Sequence, residues 1–571
     1  MTATVEATRA ATRRSLDLPV QTMLAVATVV LVLFPLVPIV VQAFSDRPLY
    51  DPVRAVTLSN FGRVLSSGAF WSVVGTTVLF ATLTTLLAIT LGSALAILVE
   101  RTDLPARGLL NALIILPFYV SPLVLAFAWT VIYGPQGYLT IWARQLIGRD
   151  PWNLYSITGL AIVATIYYVP YTYLYCTAAL SLSDPQVEDA ARIAGAGPLR
   201  TIRAVTLPLL RPALTYSALL TFVSALELLS IPLVLGTPSG IRVLASYLYI
   251  LGIAGGRIDY GAIAAISVLT VAVVTGLVWI QERLVSQERR FVTTGGRASR
   301  IRPLELGPLR WVAFVFATAY FVLAVLLPLV GILAQSVTAF LSPLINPLEV
   351  LTWNNYRLIL TTEAYRRSIV NSLIIAALGG AVGILFMAFI SLMSYRSEFP
   401  GRRALTYLAL YPRAIPGIIV GIGFLWAFLL IPGLGAVRNT IWALMAAFIM
   451  RYIPLGFGAV SPAILRISPE LDRAARVAGA DWLGTTGRIL LPLVRPALMS
   501  GYTLLFITFL KEYSSALFLF ARGSEVIGTT MIELWRQGNS GPVSALASVP
   551  IVLTFAVLAV SSALLRRRQH E

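Results

Sequence analysis

Long apolar runs separated by short polar segments set the pattern of this chain. A helix that crosses a bilayer needs about 20 mostly apolar residues, and each half of the chain supplies six such runs. The predicted spans lie at 21–44, 71–99, 108–134, 156–182, 208–235, 260–284, 311–337, 367–395, 404–431, 440–466, 492–520 and 543–565. This pattern predicts an all-α polytopic membrane protein with about twelve transmembrane helices.

The polar segments predict the orientation and the division into repeats. Arginine is concentrated in alternate loops, with Arg101 and Arg107 in one and Arg402 and Arg403 in another. Because positively charged loops stay on the cytoplasmic side, both termini are predicted to be cytoplasmic. The predicted parts are a cytoplasmic tail at 1–20, a first repeat at 21–285, a cytoplasmic linker at 286–310, a second repeat at 311–565 and a cytoplasmic tail at 566–571.

The composition agrees with a membrane protein and leaves little material for catalysis. Hydrophobic residues make up 58% and charged residues 12% of the chain, against about 45–50% and about 25% in soluble domains. The net charge of +18 comes from arginine between the apolar runs, which indicates orientation rather than nucleic-acid binding. Cys176 and His570 are the only residues of their types, so we expect neither a disulfide framework nor a Cys/His metal site.

The chain repeats itself internally. A shift of 284 residues places 168–214 on 452–498 without a gap, and 19 of the 47 positions are identical. Nearer the start of each half the shift is 295, and the matching segments there are Arg101–Pro105 with Arg396–Pro400 and Thr57–Phe61 with Thr352–Tyr356. Each shift covers an even number of spans, so the two six-helix repeats are predicted to be parallel, with a pathway between them.

The repeat is strongest in the loop after the fourth span of each half. Asp184-Pro185 and Ser468-Pro469 are typical of a helix N-terminus, and Gly195 and Gly479 stand where a left-handed cap would end the helix. The apolar residues between them follow the spacing of one helix face and are Val187, Ala190, Ala191 and Ala194, then Leu471, Ala474, Ala475 and Ala478. Each half is thus predicted to present a short helix that another protein can approach closely. The alternative is a helix packed only on its own bundle.

These two loops resemble the EAA loops of bacterial ABC importer permeases. The first has the sequence Glu188-Asp-Ala-Ala-Arg-Ile-Ala-Gly195 and continues to Leu207-Pro208; the second has Asp472-Arg-Ala-Ala-Arg-Val-Ala-Gly479 and continues to Leu491-Pro492. The resemblance covers nearly the whole chain and implies a type I ABC importer permease fold. It implies that the loops couple to an ATPase subunit through Glu188, Ala190, Ala191, Gly195 and Pro208, and through Asp472, Ala474, Ala475, Gly479 and Pro492.

Two fused permease domains are similar to the iron(III) and thiamine permeases of the bacterial inner membrane. The resemblance implies an ATP-binding cassette subunit, as a homodimer, and a periplasmic or lipid-anchored substrate-binding protein. A P-loop requires a lysine beside its glycines, whereas Lys511, the one lysine, lies in an apolar run. We therefore expect the partner subunit to use ATP, and this chain to bind no cofactor and to catalyse no reaction. Iron(III) is the first substrate expected, before thiamine, polyamines or phosphonate-type solutes.

Ionisable residues inside apolar runs are costly and usually functional. Such residues and their neighbouring hydroxyls are Glu227, Ser230, Arg413, Lys511, Glu512 and Ser514. They are predicted either to line the pathway, where carboxylates suit a cationic solute, or to form structural pairs of Glu227 or Glu512 with Lys511 or Arg413. The sequence leaves both possibilities open.

Two other classes compete with an ATP-driven importer. An ion-coupled secondary transporter can also have two parallel six-span halves, but paired Ala-rich loops have no role in one. A membrane-embedded enzyme would need a His/Cys cluster or a Ser–His pair, for which the sequence offers no material. The sequence favours the importer.

Overall fold

Helices form nearly all of the computed structural model, which describes residues 2–184, 186–254, 258–288, 303–430 and 433–567. Within these ranges, β-structure is limited to three isolated bridges, Ser45 with Val56, Thr102 with Leu304 and Thr338 with Leu351. The all-α fold is therefore confirmed. Pro185 of the first loop, 289–302 of the predicted linker and 568–571 of the predicted tail lie outside the described residues.

The helices of the two halves follow the same order. The α-helices of the first half are Thr2–Leu33, Leu36–Ala43, Ser59–Leu65, Gly68–Arg101, Arg107–Tyr119, Pro122–Tyr133, Tyr138–Ile147, Ile157–Leu182, Gln186–Ile193, Pro198–Thr201, Leu207–Leu209, Arg211–Leu226, Leu244–Tyr249 and Tyr260–Glu288. Those of the second half are Leu309–Phe321, Leu327–Ser336, Asn354–Thr361, Glu363–Ile374, Gly380–Arg396, Arg402–Leu410, Gly417–Leu430, Gly435–Arg438, Ile441–Arg466, Pro469–Val477, Trp482–Thr485, Leu491–Leu493, Arg495–Lys511, Ile527–Arg536 and Ser540–Arg567. Short π-helical turns are Ile202–Thr206, Pro232–Gly236, Ile250–Ala254, Val322–Leu326, Ile375–Gly379 and Thr486–Leu490, and 3-10 turns are Thr237–Ser239, Pro347–Val350 and Tyr411–Ala414.

The helices match the predicted spans. In the described residues, eight helices are long and apolar enough to cross a membrane, and five further helix pairs qualify with a bend. The eight helices and four of the bent pairs coincide one to one with the predicted runs, numbered here as spans 1 to 12. The fifth pair, Pro232–Ser239 with Leu244–Ile253, lies between spans 5 and 6 and is bent by 76°, as in a re-entrant segment.

Spans 3, 5, 9 and 11 are broken rather than straight, with bends of 104°, 65°, 110° and 75°. In span 3 the second helix restarts at Pro122, where the Ser121 side chain caps it by accepting a hydrogen bond from the Leu123 N–H. A residue before proline avoids the helical conformation, so Ser121 ends one helix as it begins the next. Span 9 also breaks beside a proline, and its second helix begins at Gly417, directly after Pro416.

The first span of each half packs on the other half. Span 1 lies against span 9, where a Cβ on Gly423 would overlap the Pro35 carbonyl. Span 7 lies against span 3, where the Trp129 indole donates to the Ala324 carbonyl at 3.1 Å and the Tyr133 hydroxyl donates to the Leu323 carbonyl at 2.7 Å. This exchange joins the two halves, while spans 2, 4 and 5 and spans 8, 10 and 11 form their cores.

The two Ala-rich loops lie at one end of the bundle, called here the loop face. Asp17, at the start of span 1, accepts hydrogen bonds from the Trp482 and Leu483 N–H groups of the second loop, at 2.8 and 3.2 Å. In the first loop, Arg192 donates to the Pro303 carbonyl at the end of the linker, at 3.3 Å. The start of span 1, the end of the linker and both loops therefore share this face.

Two asparagines fix the opposite face. Asn60 Nδ2 donates to the Ala43 and Ser45 carbonyls just beyond span 1, at 3.1 and 2.8 Å. Asn355 makes the equivalent bonds to the Ser336 and Thr338 carbonyls beyond span 7, at 3.2 and 3.0 Å. The last carbonyls of a helix need partners from outside it. The repeated segments Thr57–Phe61 and Thr352–Tyr356 therefore serve as caps for the first span of each half.

Candidate functional site: paired loops and an interior charge cluster

Both predicted loop helices are present. The first loop helix is Gln186–Ile193 and the second is Pro469–Val477. Asp184 accepts a hydrogen bond from the Gln186 N–H at 2.9 Å. Ser468 accepts one from the Glu470 N–H, with Pro469 in the first turn. These contacts confirm the predicted N-caps.

Glycine ends each loop helix in the left-handed conformation. The φ angle is +84° at Gly195 and +83° at Gly479. The Ala196 N–H donates to the Ala191 carbonyl at 3.0 Å, and the Ala480 N–H makes the equivalent bond in the second loop at 2.9 Å. This hydrogen-bond pattern is the Schellman cap, which glycine favours because it lacks a Cβ. The predicted caps are confirmed.

The loop helices expose matching outer surfaces. Ala190 and Ala474 are exposed, while Ala191 is half-buried and Ala475 is buried. Ile193 and Val477 occupy equivalent positions in the last turn of each helix and are 89% and 90% exposed. The short helices that follow contain Pro208, half-buried, and Pro492, exposed. Each loop therefore offers a small-residue face beside one almost fully exposed apolar side chain.

The acidic residue of the first loop points inward. Glu188 is 5% exposed, and its Oε1 lies 3.4 Å from Nε of Arg101, the last residue of span 2. Thr206 donates to the same oxygen at 2.8 Å. Arg101 also donates to the Leu180 carbonyl at 2.9 Å and to the Ser183 hydroxyl, at the end of span 4. The pair ties the loop helix to the ends of spans 2 and 4.

The second half repeats this arrangement. Arg396, the last residue of span 8, donates to Asp472 Oδ2 at 3.0 Å. Its other terminal nitrogen donates to the Ile464 carbonyl at 2.7 Å and to the Ile467 carbonyl, at the end of span 10. We call the two pairs, Arg101 with Glu188 and Arg396 with Asp472, the loop latches. A role of Glu188 and Asp472 in docking stays a prediction; their contacts here position the loop helices.

Sequence reasoning missed the arginines of the latches. Arg101 and Arg396 counted only as charges that orient the protein, yet their side chains are 1% and 7% exposed. Arg101 and Arg396 align under the 295-residue shift, and this alignment was the available signal. An arginine that only sets the orientation of the protein needs no fixed position.

The candidate pathway residues meet in the interior, where spans 3 and 9 break and spans 5 and 11 stop. Glu227 is the C-cap of the helix Arg211–Leu226, and Lys511 is the last residue of Arg495–Lys511. The two acidic residues and the lysine were predicted in the middle of continuous spans. They instead lie at helix ends, where free backbone groups and side chains of both halves come together.

Glu512 is held from several directions. Arg451 Nε lies 3.7 Å from Glu512 Oε2, which also accepts a hydrogen bond from the Tyr452 hydroxyl. The Ser514 hydroxyl and the Ser515 N–H donate to Oε1 at 2.8 and 3.0 Å. A buried carboxylate with this many donors is stabilised in place.

Arg451 was not among the predicted site residues. The repeat places Tyr167 at its equivalent position, so a charge in place of an aromatic residue was the available signal. Gly417 makes room for this arginine, because a Cβ at residue 417 would overlap both Arg451 Nη1 and the Ser514 hydroxyl.

Lys511 joins the two halves. Its ammonium donates to the Phe118 carbonyl at 2.8 Å and lies 5.3 Å from the Phe118 ring and 5.9 Å from the Tyr167 ring. A cation is favourable beside aromatic faces and near a helix C-terminus. Arg413 donates to Gln281 Oε1 at 3.4 Å.

The pairs suggested from sequence are not formed in the part of the chain that the structure describes, since neither Lys511 nor Arg413 is within ion-pair distance of Glu227 or Glu512. Glu227 is half-buried and has no hydrogen-bond partner among the described residues; Ser230, close by, is buried. Glu227 is therefore the carboxylate of this cluster whose side chain is left without a hydrogen bond among the described residues.

The cluster concentrates charge inside the bundle, and a pathway role for it stays a prediction. Within the described ranges, no group of three or more His, Cys, Asp or Glu side chains could hold a metal ion. The charges of Glu227, Glu512, Arg451 and Lys511 can act on a passing ion through the low dielectric of the bundle.

Several known proteins are similar to this chain. The ferric transport system permease protein FbpB of Actinobacillus pleuropneumoniae is 25% identical over 547 residues, which cover 92% of this chain and 75% of that protein. The putative ferric transport system permease protein FbpB 1 of Haemophilus influenzae is 26% identical over 508 residues, covering 87% and 76%. A solved bacterial ABC transporter involved in import of the acidic polysaccharide alginate is 19% identical with a TM-score of 0.36, covering 45% of this chain and 95% of that one.

One family model matches the chain twice. It covers residues 88–290 and 380–570, so each match contains one loop helix and one acidic residue of the interior cluster. The two matches confirm the fused repeat. The chain belongs to the family of inner membrane components of binding-protein-dependent transport systems.

Proposed function

We propose that the two loop helices dock on a homodimer of an ATP-binding cassette subunit at a cytoplasmic loop face. One observation carries this proposal: Ile193 and Val477 are exposed to the same degree, at equivalent positions, on helices that end in the same glycine cap. Exposed apolar side chains in a matched pair fit a partner with two equal surfaces. ATP is then bound by that partner and not by this chain.

The loop latches supply a route from ATP to the spans. A force on the first loop helix reaches spans 2 and 4 through Arg101, and a force on the second reaches spans 8 and 10 through Arg396. In the proposed cycle, ATP closes the partner dimer and the two cores open toward a loaded substrate-binding protein. Hydrolysis returns the cores to the inward-facing arrangement.

We propose iron(III) as the substrate. The support is the likeness to two ferric permeases over 92% and 87% of the chain. The half-buried carboxylate of Glu227 is consistent with this choice, because hard oxygen ligands suit a hard cation. Selection among solutes would rest mainly with the binding protein, since the interior cluster contains few groups that could select a solute.

The test is ATPase activity of this chain reconstituted in nanodiscs with its ATPase subunit and binding protein. Ferric ion, thiamine, spermidine and a phosphonate are added separately. Stimulation by ferric ion alone supports the proposal. Stimulation by another solute supports the importer assignment and rejects iron(III) as the substrate. ATPase activity that the binding protein does not change with any of the four solutes rejects the importer assignment. An Ile193→Asp, Val477→Asp double variant tests docking, and it should fail to retain the ATPase subunit through purification.

A further inference from the structure

The segment before the last span of each half is built on the same plan. The Leu244 N–H donates to the Thr77 hydroxyl at 2.9 Å, and the Ile527 N–H donates to the Ser372 hydroxyl at 2.9 Å. Just before these helices, Gly240 and Gly523 both have positive φ angles. These matches place Arg242 at the position of Glu525, and Ser72 at the position of Arg367.

In the second half, the residues at these two positions, Arg367 and Glu525, form an ion pair with each other. Arg367 donates to both oxygens of Glu525, at 3.0 and 3.1 Å. The Gly523 N–H donates to the same carboxylate at 3.1 Å. Burial alone would raise the pKa of Glu525, but the hydrogen bonds from Arg367 and the backbone outweigh it and lower that pKa. The second half therefore supplies both the arginine and its acidic partner.

In the first half the same place is an open cavity. Because Ser72 is small where Arg367 is long, a cavity of about 600 Å³ remains, lined by Arg242, by hydroxyl-bearing residues and by Ala69, Val73, Ile157, Gly240 and Ile241. Those hydroxyl-bearing residues are Ser72, Thr76, Tyr155, Ser156, Ser239 and Tyr247. Arg242 is exposed, and among the residues that the structure describes it has no hydrogen-bond or ion-pair partner. We call this cavity the Arg242 pocket.

The chemistry of the Arg242 pocket suits a carboxylate. A guanidinium presents paired N–H donors that match the two oxygens of a carboxylate, and the surrounding hydroxyls can donate to the same group. The second half shows this chemistry already satisfied, with Glu525 as the acid. The first half has the guanidinium and the space, and among the described residues it has no acidic partner for Arg242.

We propose that the Arg242 pocket receives an acidic side chain of the substrate-binding protein. The inference rests on the proposed function, in which a loaded binding protein docks on the face opposite the loops. A single binding protein meets two similar halves there, and a symmetric surface would accept it in two orientations. An acceptor pocket in the first half, matched by a closed ion pair in the second, selects one orientation.

The experiment measures the concentration of loaded binding protein that half-maximally stimulates the ATPase of the complete complex in phosphatidylcholine nanodiscs. Arg242→Glu removes the acceptor, and Ser72→Glu closes the pocket from within, as Arg367 and Glu525 do in the other half. Each change should raise that concentration about tenfold, as expected for loss of a charge pair between partners. Arg54→Glu is the matched control, because it reverses the charge of an exposed arginine in the segment after span 1 that does not line the pocket, and it should stay near wild type.

The outcomes are separable. A wild-type complex that no binding protein stimulates rejects the proposed function itself. A stimulated wild type with unchanged Arg242→Glu and Ser72→Glu variants rejects the pocket alone. If the two variants differ from wild type only when phosphatidylglycerol replaces phosphatidylcholine, a lipid headgroup fills the pocket and the inference is wrong. If one Glu→Arg or Asp→Arg change on the binding protein restores the wild-type half-maximal concentration with the Arg242→Glu variant, that changed residue is the one that docks in the pocket.

Discussion

The two halves of the chain are more alike at the loop face than in the rest of the molecule. At the loop face the halves agree closely: both loop helices are latched by an arginine from the end of the second span of their half, and both have an almost fully exposed apolar side chain in the last turn. In the interior they diverge, since Arg451 stands where the first half has Tyr167. They diverge again on the opposite face, with Arg242 at the position of Glu525. Under the proposed function, the symmetric part meets two equal ATPase subunits, and the asymmetric parts meet one solute and one binding protein.

The largest effect is expected from breaking the symmetric part. Changing Arg101 and Arg396 to methionine leaves Glu188 and Asp472 without an ionic partner, and loss of one member of a buried pair costs about 3–5 kcal/mol. We expect a lower unfolding temperature and more ATP hydrolysed per solute transported. Arg203→Met, at an exposed arginine of the first loop segment, is the control. Wild-type coupling in the double variant would contradict the latch assignment.

The next effect concerns the asymmetric interior. Gly417→Ala places a Cβ on the guanidinium of Arg451, and overpacking of this kind costs about 1–3 kcal/mol. Displacing Arg451 also removes the ion pair to Glu512, so solute uptake should fall strongly. Gly458→Ala, on the same span as Arg451 and with open space at its Cβ position, should leave uptake and thermal stability unchanged. Equal uptake by the two variants would show that Arg451 has no special role.

A smaller effect is expected from the glycine caps. Alanine at Gly195 or Gly479 must adopt a positive φ, which costs about 1–2 kcal/mol per residue. The loop helices should fray at their outer ends, so that ATP hydrolysis continues while uptake declines, most strongly with both changes together. Gly197→Ala is the control, because φ at Gly197 is −68° and its surroundings are open. Intact coupling in the double variant would count against docking through these helix ends.

The smallest structural effect is expected at Glu227. Glu227→Gln removes a charge that makes no hydrogen bond within the described chain, so its effect on stability should stay within about 0.5 kcal/mol. Uptake should nevertheless fall if the carboxylate faces the solute. Glu512→Gln differs, because it breaks the pair with Arg451 and should lower stability as well as uptake. Unchanged uptake by Glu227→Gln would remove Glu227 from the pathway.

Much of this architecture could be predicted from the sequence, because it depends on local composition. The twelve apolar runs, the repeat, the N-caps at Asp184 and Ser468 and the glycine caps follow from hydrophobicity and short-range backbone preference. The prolines inside spans 3 and 9, Pro122 and Pro416 among them, indicated kinks in those two spans, whereas the breaks of spans 5 and 11 were missed. Hydropathy shows how long and how apolar a segment is, but it does not show where the helix axis bends.

The contacts between distant segments could not be predicted. Arg451 lies 61 residues from Glu512 in sequence, and Arg101 lies 87 residues from Glu188. Nothing local to either residue indicates the partner, since the choice depends on which spans pack together. The docking role of the loops and the pathway role of the cluster stay predictions that the experiments above decide.

The exchange of first spans has a consequence for biosynthesis. Span 1 is made first, yet its partner, span 9, and the Trp482 N–H that Asp17 caps are made only after several hundred further residues. Until then span 1 must stay in lipid without that partner, and it is the most apolar of the long spans. A ribosome that stops at the linker would leave a half-protein in which span 1 keeps its packing on span 6 and lacks its partner in the second half. Two halves made as separate chains would therefore have to meet in the membrane before either could finish folding.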